Sequence, residues 1–161
     1  AALVLEPRVL LADEPVSMLD VSIRAEILNL LLALRQQRGI SVLLITHDLG
    51  TVGYVADRIA VMYLGRIVEI GPALDILQNP QHPYTKALLS VSPVPNPRQR
   101  HERTILQGET PNPIDLPMGY RFHPRCPIAQ PQCSQTDPHL KMVPPGHEVA
   151  CLVVSGQIET S

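Results

Sequence analysis

Apolar positions come in short runs over roughly the first ninety residues and thin out afterwards. Val9 to Ala12 is an unbroken run that stops at two acids, Asp13 and Glu14, and reads as a short buried strand. Between Val21 and Arg38 the residues Ile23, Ile27, Leu30, Leu31 and Leu34 recur at helical spacing. Asp20 is placed to cap the start of that helix and Gly39 to stop it. "SVLLIT", residues 41 to 46, reads as a second buried strand, and its consecutive apolar residues suggest cover on both faces. Strand, helix and strand in about forty residues make a βαβ unit of a parallel sheet. A short helix follows from Leu49 to Ala56. "RIAVMYLGRIVEIG" predicts two antiparallel strands turning near Leu64 and Gly65. Pro72 to Leu77 and Tyr84 to Val91 read as short helices.

Proline divides the chain. Only Pro7, Pro15 and Pro72 of the 17 prolines precede residue 80, so regular elements belong to the first half and turns and extended chain to the second. Residues 92–118 read as a linker. The small basic cluster within it, Arg98, Arg100 and Arg103 around Glu102, reads as solvated chain. No internal repeat is visible. The 161 residues suffice for one ordinary domain, and 45% hydrophobic content can build a core. A net charge of −2, no Trp and a single Phe, Phe122, argue against a general nucleic-acid binder. No apolar run approaches the roughly 18 to 20 residues of a membrane span, and no signal peptide pattern opens the chain. Three cysteines argue against a closed disulfide framework and fit a reducing compartment. The chain opens at Ala1 and enters a core strand almost at once, which reads as a fragment, or a processed or truncated product.

Two carboxylates at the end of a buried strand are costly unless charge is needed there. One carboxylate can hold Mg²⁺, and its neighbour can orient or deprotonate an attacking water. The second strand ends at His47, and parallel strands deliver their ends to the same sheet edge, where ligands bind. Taken singly, these residues favour the plainer reading, as turn caps and a loop histidine. The whole string, "LLADEP" with "SMLD" and then "LLITHDL", resembles the second half of an ABC transporter ATPase domain. The resemblance implies Walker B at Val9–Asp13, with Asp13 serving Mg-ATP. It implies Glu14 as the catalytic glutamate, Ser17–Asp20 as the D-loop with Asp20 at a dimer interface, and His47 as the switch histidine at the γ-phosphate.

Two parts of such a site are missing. No G-x-x-x-x-G-K-[ST] occurs, and the only lysines, Lys86 and Lys141, do not follow a glycine. The family's serine–glycine–glycine signature is absent too. Without a loop of convergent N–H groups the phosphates have no cradle. The expectation is that the loop lies on an upstream part of the protein and that this chain alone is inactive.

"NPQHPYTKALLSVSPVPNP", residues 79 to 97, resembles the signature of the oligopeptide and dipeptide (peptide/nickel) branch of ABC importers. "GYRFHPRCPIAQPQC" and "GHEVAC" resemble the rest of that branch's C-terminal extension. Cys126, Cys133 and Cys151, with His123 and His147 nearby in sequence, permit a three-Cys, one-His zinc site by spacing. They equally suit reduced thiols that pack a small module. Some members of the resembling branch carry an iron–sulfur cluster on four cysteines here, and their pattern begins Gly-Cys where this chain has Gly119-Tyr120. A tyrosine thus stands at the first ligand position.

The expected fold is α/β: a partial P-loop NTPase parallel sheet with helices, then a Pro-rich C-terminal extension with little regular structure. The boundary falls between residues 1–78, the ATPase portion, and 79–161, the extension with its linker. The resemblance implies the energy-coupling subunit of an importer for di- or oligopeptides or nickel-type solutes, using ATP and Mg²⁺. Its partners would be a second ATPase subunit, in a homo- or heterodimer, and membrane permease subunits, with a solute-binding protein engaged indirectly. It would sit peripherally at the cytoplasmic face of the membrane. One alternative is a non-enzymatic regulatory or assembly module holding iron–sulfur or zinc. Another keeps the ATPase but drops transport, and the His82-Pro83-Tyr84 extension argues against it.

Overall fold

The computed structural model describes residues 6–91, 104, 106, 108–109, 111–144 and 146–158. The basic cluster of Arg98, Arg100, Glu102 and Arg103 lies outside these residues. The chain forms two compact units, residues 1–55 and 56–161.

In the first unit, β1 (Val9–Asp13) and β2 (Ser41–Ile45) pair in parallel with Asp13 opposite Ile45. α1 (Val21–Arg38) connects them, and α2 (Leu49–Val55) follows. The ends of α1 are set by the two residues that the pattern suggests. Asp20 is extended and its carboxylate accepts from the Ile23 N–H at 3.1 Å, satisfying one of the helix's orphan donors. Gly39 turns out of the helix at φ 63°, a left-handed conformation that costs glycine nothing, and its N–H reaches the Arg35 carbonyl. The expectation of cover on both faces of the second strand is not met among the described residues. Leu43 and Ile45 of β2 are 58% and 47% exposed, and Val9 and Leu11 of β1 share that exposure. The reason is the alternation of strand side chains: in a two-stranded sheet with α1 packed against β2, every second residue faces away.

The second unit holds an antiparallel sheet. Its strands are β3 (Arg58–Tyr63), β4 (Arg66–Pro72), β5 (Lys141–Val143) and β6 (His147–Val149), in the order β3-β4-β6-β5. α3 (Ala73–Gln78) and α4 (Pro83–Val91) follow β4 in the chain. The β3–β4 turn is two residues long, Leu64 and Gly65, both at positive φ (44° and 78°), the type I′ geometry that suits hairpin twist. β5 and β6, and two single turns of 3₁₀ helix at His123–Arg125 and Pro131–Ser134, are regular elements inside the Pro-rich part. β6 lies close against the end of β4: a Cβ at Gly71 would meet the His147 Cβ at 2.2 Å, so only glycine fits there. The core gathers Val68, Ile76, Phe122 and Val149, each at most 1% exposed. The molecule is therefore α/β with a parallel pair in one unit and an antiparallel sheet in the other. Among the described residues no helix is long and apolar enough to cross a membrane.

Candidate functional site

In the first unit the parallel register puts the ends of β1 and β2 side by side. The Glu14 N–H donates to the Ile45 carbonyl at 2.9 Å, carrying the ladder one residue past β1. Glu14 then departs from extended geometry at φ 45°, a rare conformation for a residue with a side chain. Such strain persists only where surrounding bonds hold it. Here the Glu14 carbonyl accepts from the Ser17 N–H and hydroxyl, closing a tight turn. Glu14 Oε1 accepts from the His47 N–H at 3.1 Å and lies 2.7 Å from His47 Nδ1. Its other oxygen, Oε2, is buried and has no hydrogen-bond partner. The His47 side chain is 80% exposed, with Nδ1 the nitrogen committed to Glu14. Asp13 is exposed at the end of β1.

Glu14 and His47 thus meet directly, as the strand-end reading expects. Asp20 spends its carboxylate on the cap of α1. Sequence reasoning missed the support behind His47. Asp48 accepts from the Thr51 N–H and hydroxyl, capping α2, and pairs with Arg24 of α1 at 2.7 Å. A carboxylate just ahead of a short helix is the signal that could have revealed that cap. Arg24 also reaches the Leu19 carbonyl, so one side chain ties α1 both to the turn before it and to the segment after β2.

In the second unit a polar network lies wholly inside. Glu69 of β4 is fully buried. It accepts from the Gln81 N–H at 2.7 Å and the His82 N–H at 3.2 Å, and His147 Nε2 stands 2.9 Å from it. That last contact is an ion pair when the imidazole is protonated. His82 explains the local physics of its His-Pro-Tyr motif. Its carbonyl accepts the Lys86 N–H, its Nδ1 accepts from the Tyr84 N–H at 3.0 Å, and Pro83 supplies a first helical residue that needs no donor. His82 is therefore the N-cap of α4, and its Nε2 is hydrogen-bonded to the Tyr120 hydroxyl.

Burial, reinforced by the charge of Lys86, lowers the His82 pKa to about 3. A depressed histidine stabilises the fold fully above the unfolded value near 6.5, and that stability is lost as pH falls toward 3. The unfolded chain takes up a proton there that the folded one refuses. Stability is expected to fall by about 1.4 kcal/mol per pH unit below that value from this group. Urea midpoints between pH 7 and pH 5 test this in the native chain and in His82→Asn, which retains a capping acceptor. Equal slopes in the two would refute it.

The three cysteines are free, with Cys133 and Cys151 buried and Cys126 half-buried. Burial pushes the Cys126 thiol up to about 11 and raises Cys151 as well. His147 is turned to Glu69, and His123 Nδ1 lies 2.9 Å from the Tyr120 carbonyl, so neither histidine completes a ligand set with the thiols. Among the described residues no group of three or more His, Cys, Asp or Glu is arranged to hold a metal ion.

Residues 68–133 match the family model described as "Oligopeptide/dipeptide transporter, C-terminal region". Over 151 residues the chain is 52% identical to a putative peptide import ATP-binding protein of Brucella ovis, covering 94% of this chain and 48% of that one. It is 50% identical to the dipeptide transport ATP-binding protein DppF of Haemophilus influenzae over 92% of this chain and 46% of the relative. It is 49% identical to the oligopeptide transport ATP-binding protein OppF of Salmonella typhimurium over 95% and 46%. The chain spans about half the length of these curated relatives.

Proposed function

We propose a role for this chain from its family, since it belongs to the ATP-binding proteins of oligopeptide and dipeptide ABC transporters: it supplies the hydrolytic half of an ATP site that powers peptide import. The observation that carries this reading is the Glu14–His47 contact at the shared edge of β1 and β2. Asp13, exposed at that edge, would hold Mg²⁺. The metal, when bound, neutralises charge on the transferring phosphate. Glu14 would accept a proton from the attacking water through Oε2, the oxygen with no hydrogen-bond partner. His47 would hold Glu14 through Nδ1 and face the γ-phosphate with the rest of its exposed ring. Asp20 would sit at the interface with a second ATPase subunit while capping α1.

The phosphate cradle is not among these residues, so the donor set fits the metal and the water but not the β and γ phosphates. We assign the cradle to another part of a longer protein, in keeping with relatives about twice this length. The exposed apolar face of β1 and β2 supports that assignment, because further layers of a P-loop parallel sheet would cover it. Residues 1–78 would complete the ATPase domain and 79–161 would form the transporter-type extension. Permease subunits would hold the protein at the cytoplasmic face of the membrane. Peptides are favoured as cargo over nickel-type solutes, since the relatives named above are peptide, dipeptide and oligopeptide proteins.

Isothermal titration of the isolated 161-residue chain with Mg-ATP is expected to show no binding at micromolar concentrations. The protein carrying the upstream half is expected to bind and hydrolyse ATP. Micromolar binding by the isolated chain would overturn the division of the site proposed here.

A further inference from the structure

Some members of the resembling branch carry a metal cluster on four cysteines in this extension, and this chain has Tyr120 at the first position. Three observations bear on what that tyrosine does. First, position 120 is fixed by backbone contacts that need no metal. The Tyr120 N–H donates to the Cys133 carbonyl at 2.8 Å. Gly119 before it has φ 68°, and a Cβ there would come within 2.5–2.7 Å of backbone atoms of residues 133–135. The segment is therefore seated on the chain after Cys133, and the Tyr120 side chain is 4% exposed.

Second, the phenol already has a partner. Because His82 Nδ1 accepts from the Tyr84 N–H, its proton is assigned to Nε2, which donates to the Tyr120 oxygen. A metal would require the phenol as its oxyanion. The hydroxyl is instead hydrogen-bonded to the buried His82, on a residue that is itself 4% exposed. The donor set is thus three thiols and a neutral, hydrogen-bonded phenol, which does not fit a four-thiolate cluster.

Third, Tyr120 belongs to an aromatic group in a chain with few aromatics. Four of the five Tyr and Phe residues gather here: Tyr63, Tyr84, Tyr120 and Phe122. Phe122 is fully buried, with ring centroids 5.1 Å from Tyr63, 5.5 Å from Tyr84 and 6.2 Å from Tyr120. His82 joins the group at 5.6 Å from Phe122 and 5.8 Å from Tyr120. A loop-rich module with short strands needs a staple, and metals often supply it. Here rings from β3, the start of α4 and the Cys-bearing segment meet without one.

We propose that the hydrogen-bonded Tyr120–His82 pair and its ring cluster are the staple of the C-terminal module in this chain, that its three cysteines are metal-free packing residues, and that residue 120 decides between this form and a metal-holding one. The proposal does not depend on the ATP site. Its test is the iron and zinc content of the full protein, purified without oxygen, together with its visible absorbance. The native protein is expected to carry far less than one metal per chain; stoichiometric iron or zinc would overturn the proposal. Tyr120→Cys, reconstituted with ferric iron, sulfide and an excess of a thiol reductant, is expected to gain stoichiometric iron and charge-transfer absorbance. A folded variant that gains neither would show that residue 120 does not decide. Tyr120→Phe removes only the hydroxyl, and is expected to lower Tm by roughly 2–4 °C with metal content unchanged. An unaltered Tm in that variant would remove the staple role. The native and Tyr120→Phe measurements decide the matter even where Tyr120→Cys fails to fold.

Discussion

Glu14→Gln, in a protein that joins this chain to the phosphate loop proposed above, is expected to lower the ATP turnover proposed for it by about 10²–10⁴-fold. ATP binding should change little. The expectation follows from how the carboxylate is held. Oε1 is spent on the His47 N–H and Nδ1, which fixes the side chain. Oε2 has no hydrogen-bond partner, so it is the oxygen left uncommitted for the proton-accepting role proposed above. An amide keeps the size and shape but cannot take a proton. It can also present its NH₂ group toward His47, where the carboxylate presents only acceptors. The backbone at φ 45° supports the same view, because a strained residue at a strand end is retained when its side chain must point one way. Phosphate release under saturating ATP measures turnover, and a nucleotide-binding titration separates it from affinity. Turnover within a few-fold of the native rate would remove Glu14 from the proton-transfer role, leaving it a structural tether for His47.

Glu69→Ala is the second large effect, and it concerns stability. The carboxylate is fully buried and faces three groups: the N–H groups of Gln81 and His82 and the His147 ring. Removing it strands two backbone donors and takes away the carboxylate that stands 2.9 Å from a buried imidazole. Breaking a buried pair of this kind costs about 3–5 kcal/mol, a large part of the about 5–15 kcal/mol that holds a typical domain. Glu69 also lies where β4 pairs with β6, opposite Val149, so the loss loosens the join between distant parts of the unit. Glu69→Gln keeps one acceptor and the volume, and should cost less, about 1–3 kcal/mol. Urea unfolding followed by near-ultraviolet circular dichroism measures both. A cost under about 1 kcal/mol for Glu69→Ala would mean that water or neighbouring groups replace the carboxylate.

Much of the local structure was legible in the residues themselves. Asp20 and Gly39 bound α1 because capping acts within one turn of chain. The hairpin turns at Leu64–Gly65 because two residues separate two apolar runs. Asp13, Glu14 and His47 could be placed at one sheet edge from strand order alone, and the long motif strings pointed to the family. What chain order could not supply is which distant segments meet. β5 and β6 lie in a Pro-rich stretch with no strand-like alternation of useful length, and β6 exists because β4 offers it a partner. Glu69 reads as a polar residue on a strand face, yet it is buried because Gln81, His82 and His147 close over it. Tyr120 reads as a replaced ligand, and its role emerges only when His82, far earlier in the chain, meets its hydroxyl. The division has a physical origin. Caps, turns and periodicity are decided by neighbours in sequence, whereas burial and buried hydrogen bonds depend on loop closure and packing between remote segments, which local pattern does not encode.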